Sequence, residues 1–138
     1  MTNLNVQKRY KSLIRSAARA SLNSDYKLPL GAVIFRGKRI LATGWNQNKT
    51  HNYASQYMEY PYLHAEVDAI LSARYRVDLE GTSIFVVRLL KNGRLAMAKP
   101  CPHCQQACND VGIKRAYWTT DTNYDEALIT DMLLAQIP

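Results

Sequence analysis

Residues Ala98–Cys104 read AKPCPHC. Two of the chain's three cysteines stand here, three residues apart, with Pro100 before the first and Pro102 after it. The segment that follows, PHCQQACNDVG, predicts a helix with Pro102 in its first turn and Gly112 as its stop. Cys101 and Cys104 then lie at a helix start, where side chains three apart reach one point in space. Three cysteines, two of them in C-x-x-C, do not make a disulfide framework, so a reducing cytoplasm is the expected setting. Two soft thiolates instead suit zinc, which takes four ligands in a tetrahedron. Cys108 is the obvious third candidate. It lies a further turn along the helix and reads more naturally as a small apolar core residue.

Outward from this stretch the pattern is regular. Upstream, TSIFVVRLL is a buried strand, KNG a turn, and RLAMAK either a short returning strand or extended chain. Further upstream, HAEVDAILSARY has helical spacing through Val67, Ile70 and Leu71. LPLGAVIF and RILATGWN, joined by RGK, predict an antiparallel hairpin, and Tyr10, Leu13, Ile14, Ala17 and Ala18 mark an amphipathic helix over about residues 4–23. Downstream, KRAYWTT is a strand, and YDEALITDMLLAQI reads as a closing helix with acids in its first turn. Residues 47–62, polar and tyrosine-rich, have no period and form a long loop. The order α-β-β-α-β-α-β-α predicts a three-layer α/β fold, helices on both faces of a mixed sheet, with residues 1–138 as one domain.

The third metal ligand is expected in LHAEVDAI. His64 opens a predicted helix, whose electropositive end favours a neutral imidazole beside thiolates. Glu66 follows two residues later, and at a first turn both side chains lean back over the helix end. His64, Cys101 and Cys104 would hold zinc and leave its fourth position to water, with the Glu66 carboxylate placed to move protons. H-x-E alone means little, and C-x-x-C alone more often marks structural zinc or redox chemistry. Together, each at a helix start after strand-like chain, they specify a catalytic metal site.

Charge and composition bound the partners. The chain has a formal net charge of +7, with 16 Lys/Arg against 6 acids in residues 1–99 and 2 against 5 in residues 100–138. A basic excess points to anionic ligands. Lys8, Arg9, Lys11, Arg15 and Arg19 read equally as the solvated face of the first helix. No run approaches the ~20 apolar residues of a membrane span, so no membrane partner is expected. The N-terminus lacks the pattern of a secretory signal; it is basic and acid-free, as transit peptides are, but its apolar stripe reads as part of the fold.

HAE followed by PCPHC resembles the H-x-E…P-C-x-x-C signature of the zinc-dependent cytidine/deoxycytidylate deaminase superfamily. GAVI, ATGWN and GIKRAYWTTD extend the similarity over roughly residues 8–122, and the short form is most similar to the deoxycytidylate deaminase branch. The resemblance implies a cytidine-deaminase-like α-β-α fold and a hydrolase acting on the C–N bond of a cyclic amidine. It implies zinc on His64, Cys101 and Cys104, and Glu66 as the proton carrier between the attacking water, the ring nitrogen and the departing ammonia. Asn46 would contact sugar or base, the backbone of Ala65 the base carbonyl, and the small Gly31-Ala32 pair would let the base lie close to the sheet. Relatives commonly form homo-oligomers.

Departures from the pattern matter. The superfamily runs from its third strand almost directly into P-C, whereas LLKNGRLAMAK intervenes here. Lys99 is not expected from relatives and is either a phosphate contact or an exposed strand residue. QQAC lacks the small-residue continuation of tRNA adenosine deaminases. No strand is expected beyond the closing helix.

Three functions fit the residues. The first is deamination of a free nucleotide, dCMP to dUMP, with Lys49 or Lys99 on the phosphate and His51 either lining the entrance or a plain loop residue. The second is a polynucleotide deaminase, with Tyr53, Tyr57, Tyr60 and Tyr62 stacking bases at roughly 1–3 kcal/mol each or simply packing the loop. The third is a closed structural zinc site in a binding module, which leaves Glu66 without a role.

Overall fold

Side chains that point alternately to the two faces of the central strands build two separate cores on one sheet. The computed structural model describes residues 2–49 and 62–138, with side chains from Tyr10 onward. Its strands are β1 (Gly31–Arg36), β2 (Arg39–Trp45), β3 (Ser83–Leu89), β4 (Leu95–Ala96), β5 (Arg115–Thr119) and β6 (Tyr124–Leu128). Its helices are α1 (Thr2–Ser21), α2 (Ala65–Ala73), α3 (Pro102–Asp110) and α4 (Ile129–Leu134). Five strands run in the order β2-β1-β3-β5-β6, and β4 pairs with β3 off that path. β3 and β5 are parallel and every other pair is antiparallel.

Val33, Phe35, Phe85, Val87 and Tyr117 point to one face, where Leu13 and Ala17 of α1 cover them. Ala32, Ile34, Ile84, Val86, Ala116 and Trp118 point to the other, against α2, α3 and α4. The period-2 alternation of strands makes this division automatic. The result is the expected three-layer α-β-α fold with a mixed sheet. Among the described residues no helix is long and apolar enough to cross a membrane.

The hairpin of β1 and β2 turns at Gly37-Lys38, with Gly37 at φ 62° as such a turn requires. The closing segment departs from expectation. Tyr124–Leu128 is not helix but edge strand β6, antiparallel to β5, and helix resumes only at Ile129. Asp125 and Glu126 therefore sit on a sheet edge rather than in a first helical turn, with Glu126 bound to Arg115 at 3.0 Å. A further strand thus exists at this edge, before the closing helix rather than after it.

RLAMAK proves to be both of the forms the sequence allowed. Leu95–Ala96 pairs with Arg88–Leu89, and the rest is extended. Gly93, at φ 85°, closes the turn between them. Thr119, at the end of β5, fixes this hairpin. Its Oγ1 accepts from the Arg88 N–H at 3.1 Å and donates to the Ala96 carbonyl at 2.7 Å. Its carbonyl accepts from the Ala98 N–H at 3.0 Å.

Candidate active site

Two helices begin at one place. His64 is the residue before α2 and Cys101 the residue before α3, both with extended backbone. Neither makes a side-chain cap, although this position usually carries Ser, Thr, Asp or Asn. Cys104 follows in the first turn of α3. His64 Nδ1 lies 3.6 Å from Cys101 Sγ and 3.3 Å from Cys104 Sγ. Bond lengths of about 2.3 Å to sulfur and 2.0–2.1 Å to nitrogen at a tetrahedral centre place such atoms about 3.6 Å apart. All three ligand atoms lie within 4.8 Å of one another, and they form the one such group of three or more His, Cys, Asp or Glu among the described residues. The donor set fits zinc. Cys108 stays outside it, fully buried in the core, where burial pushes its thiol up.

Electrostatics favours the same use. The Cys101 thiol is pulled down to about 4, chiefly by the hydrogen bond with Cys104 and also by His64. Burial pushes Cys104 up, a cost of the second thiolate that a bound cation would compensate. Desolvation opposes charge on the His64 imidazole, but Cys101 and the Glu66 carboxylate outweigh it and raise its basicity. Glu66 is 4% exposed, and burial pushes its carboxyl up.

These groups open onto a cavity of about 280 Å³. His64, Glu66 and Cys101 line it together with Tyr26 and Tyr62. Leu28, Leu30, Met97 and Ala98 supply apolar wall, and Arg88 and Lys99 supply cations. The two tyrosines stack at 4.4 Å with 19° between planes, and Tyr62 also packs on the His64 ring at 4.3 Å.

The other expected substrate contacts fall in different places. Asn46 is fully buried. Its Oδ1 accepts from the Leu30 N–H at 2.9 Å and from Ser24 Oγ at 2.6 Å. Its Nδ2 donates to the Leu28 carbonyl at 2.8 Å and to Tyr62 Oη at 3.0 Å. Asn46 thus braces the apolar wall and Tyr62, and any ligand contact would have to displace one of these bonds. Ala65 is the first residue of α2, where an N–H has no partner within the helix.

Gly31 is small for a different reason than expected. A Cβ there would collide with the Ala17 carbonyl of α1, on the face away from the metal group. Ala32 is fully buried core, and Leu28 and Leu30 form the cavity wall at this end of β1. Lys49 is exposed, does not line the cavity, and acts on the Asp68 carboxylate. His51, Tyr53, Tyr57 and Tyr60 lie outside the described residues. Arg88, Met97 and Tyr26 were not singled out by sequence reasoning. The usable signal for Met97 was the extra segment before Pro100, which returns to the site; Arg88 lies in β3 ahead of that segment.

A mixed sheet with a His-Cys-Cys group at the starts of two helices defines an α/β protein with a zinc-type metal site. Over residues 4–120 the sequence matches the family described as "Cytidine and deoxycytidylate deaminase zinc-binding region", and the chain belongs to that family. It is an enzyme family acting on C–N bonds of cytosine nucleotides or nucleosides. A comparison with curated proteins gave no match. Among solved structures the fold is similar to a dCMP deaminase from the cyanophage S-TIM5, with TM-score 0.64 and 21% identity over 93% of this chain and 91% of that one. It is also similar to a cytidine deaminase from Burkholderia pseudomallei, with TM-score 0.63 and 21% identity over 89% and 94%. A third, a diaminohydroxyphosphoribosylaminopyrimidine deaminase/reductase from Thermotoga maritima, has TM-score 0.57 and 26% identity over 86% of this chain and 31% of that one.

Proposed function

We propose that this chain hydrolyses the exocyclic amine of a cytosine nucleotide, dCMP to dUMP and ammonia, with residues 1–138 working as one domain. The observation that carries this is the buried Glu66 opening into the same cavity as His64 and Cys101. A closed structural zinc site would need neither a cavity nor an acid. His64, Cys101 and Cys104 would hold zinc, which would supply a water activated for attack at neutral pH. Glu66 takes a proton from the attacking water and delivers it to the ring nitrogen. It then carries the second proton to the amine, so C4 gains oxygen and ammonia leaves. Burial raises the basicity of this carboxyl, which makes it a better proton acceptor than a solvated carboxylate. The Ala65 N–H donates to the base carbonyl, and the Tyr26–Tyr62 pair walls the base.

Free nucleotide is favoured over polynucleotide by the placement of charge. The exposed Lys11, Arg15 and Arg19 belong to α1, across the sheet from the metal group, where they cannot guide a strand into the cavity. A cytoplasmic homo-oligomer accords with this role. Turnover of dCMP, cytidine, dCTP and a cytosine oligonucleotide, measured side by side on protein with zinc counted per chain, tests the reading. dCMP should give the highest kcat/KM. Efficient oligonucleotide deamination with negligible dCMP turnover would refute it.

A further inference from the structure

The hairpin that separates β3 from Pro100 adds residues to the site that the family signature does not specify. It follows Leu89 at the end of β3, turns through Lys91–Gly93 and returns through β4, beside Arg88 of β3, to Lys99. Thr119 pins it at three points, through the Arg88 N–H, the Ala96 carbonyl and the Ala98 N–H. It is therefore a fixed wall. From that wall Arg88, Met97, Ala98 and Lys99 face the cavity that holds Glu66 and two metal ligands.

Arg88 is half-buried, and among the described residues its guanidinium has no hydrogen bond and no ion pair. Removing a guanidinium partly from water without an acceptor is unfavourable. Such a group is ordinarily paired, and this one lines the cavity. Lys99 joins it, with Nζ 5.7 Å from the Trp118 ring centre and, among the described residues, no ion pair. Among the described residues Glu66 is the one acid lining the cavity, beside His64 and Cys101. Among those residues the cavity thus carries two cations and no anion to match them. The guanidinium fork matches phosphate oxygens bidentately, and an ammonium adds a point charge.

We infer that Arg88 and Lys99 are specificity-determining residues that hold a terminal phosphate, so that the site selects a nucleoside 5′-monophosphate over the bare nucleoside. Two cations balance the dianion of a monophosphate better than the single charge of a phosphodiester. This inference rests on the deaminase reading above, and it replaces Lys49 with Arg88 as the main phosphate contact.

The test compares wild type, Arg88→Gln and Arg88→Lys, each loaded with zinc. Two readouts are taken: kcat/KM for dCMP and deoxycytidine, and calorimetric affinity for dUMP and deoxyuridine. Arg88→Gln should lower kcat/KM for dCMP by about 10–100-fold, the range for losing a hydrogen bond to a charged group, almost entirely through KM. Values for deoxycytidine and deoxyuridine should not move, and dUMP should weaken by the same factor as dCMP. Arg88→Lys should recover part of the loss, and Lys99→Gln should shift the same ratio by less. An unchanged dCMP-to-deoxycytidine ratio in Arg88→Gln overturns the inference, as does an equal loss on both compounds. If wild type deaminates neither compound, the deaminase reading fails, and dUMP affinity alone then decides Arg88: weakening in Arg88→Gln upholds it and no change removes it.

Discussion

The two faces of the sheet are made from the same strands and have opposite tasks. Toward α1 the strands send aromatic bulk: Phe35, Phe85 and Tyr117 pack with Tyr10 and Tyr124 at ring separations of 5.1–6.5 Å. Toward α2 and α3 they send Ala32, Ile34, Ile84, Val86 and Ala116, with Trp118 the one aromatic. Even the two strand glycines divide. A Cβ on Gly31 would strike α1 at Ala17, and one on Gly44 would strike α2 at Ala69 and Ala65. The aromatic face anchors a helix by its side. The aliphatic face receives helices that begin at the site, so their free N–H groups and positive ends meet the chemistry. What a helix presents, flank or end, separates the packing face from the reactive one.

This contrast can be broken at several points. The largest effect belongs to the reactive face. Glu66→Gln should keep one zinc per chain and an unchanged melting temperature, while kcat falls by about 10²–10⁴-fold, as for loss of a general acid/base. Turnover near wild type in that variant would remove Glu66 from the mechanism. On the packing face Phe85→Ala should cost about 3–5 kcal/mol of stability, the usual figure for a buried aromatic. Its kcat per folded molecule should hold, and denaturant unfolding run beside kinetics separates the two. A matched fall in kcat would show that the faces are not independent. The smallest effect sharpens the comparison most. Gly31→Ala and Gly44→Ala should each destabilise by about 1–3 kcal/mol through overpacking. Only Gly44→Ala, which pushes on the helix that follows His64, should also weaken zinc retention in a chelator competition. Loss of dCMP affinity in Gly31→Ala at full zinc occupancy would return Gly31 to the substrate site.

The sequence carried the metal group well because its information is local. His64, Cys101 and Cys104 sit at helix starts that Pro102, the strand-like runs and the apolar spacing mark without tertiary knowledge. The layers were legible for the same reason. The misread closing segment shows the limit. Asp125, Glu126 and Ala127 suit a helix by themselves, and the open edge of β5 decides otherwise by offering backbone partners to Tyr124–Leu128. Asn46 and Gly31 were assigned to substrate through resemblance, yet their surroundings, Tyr62 with Leu30 for one and Ala17 for the other, come from distant chain. Arg88 could not be found by spacing, because it matters only once β4 has folded back beside it.

The uncapped starts of α2 and α3 have a further consequence. In an ordinary helix a serine or aspartate quiets the first free N–H groups; here His64 and Cys101 hold those places and their side chains converge on one another instead. A metal held there would be the keystone of two arches at once. Part of its binding energy would go into ordering the first turns of both helices, so affinity and local rigidity would rise and fall together. Amides of residues 65–68 and 103–105 should therefore exchange with solvent in step with each other as zinc is withdrawn, while the strands beneath α1 keep their protection.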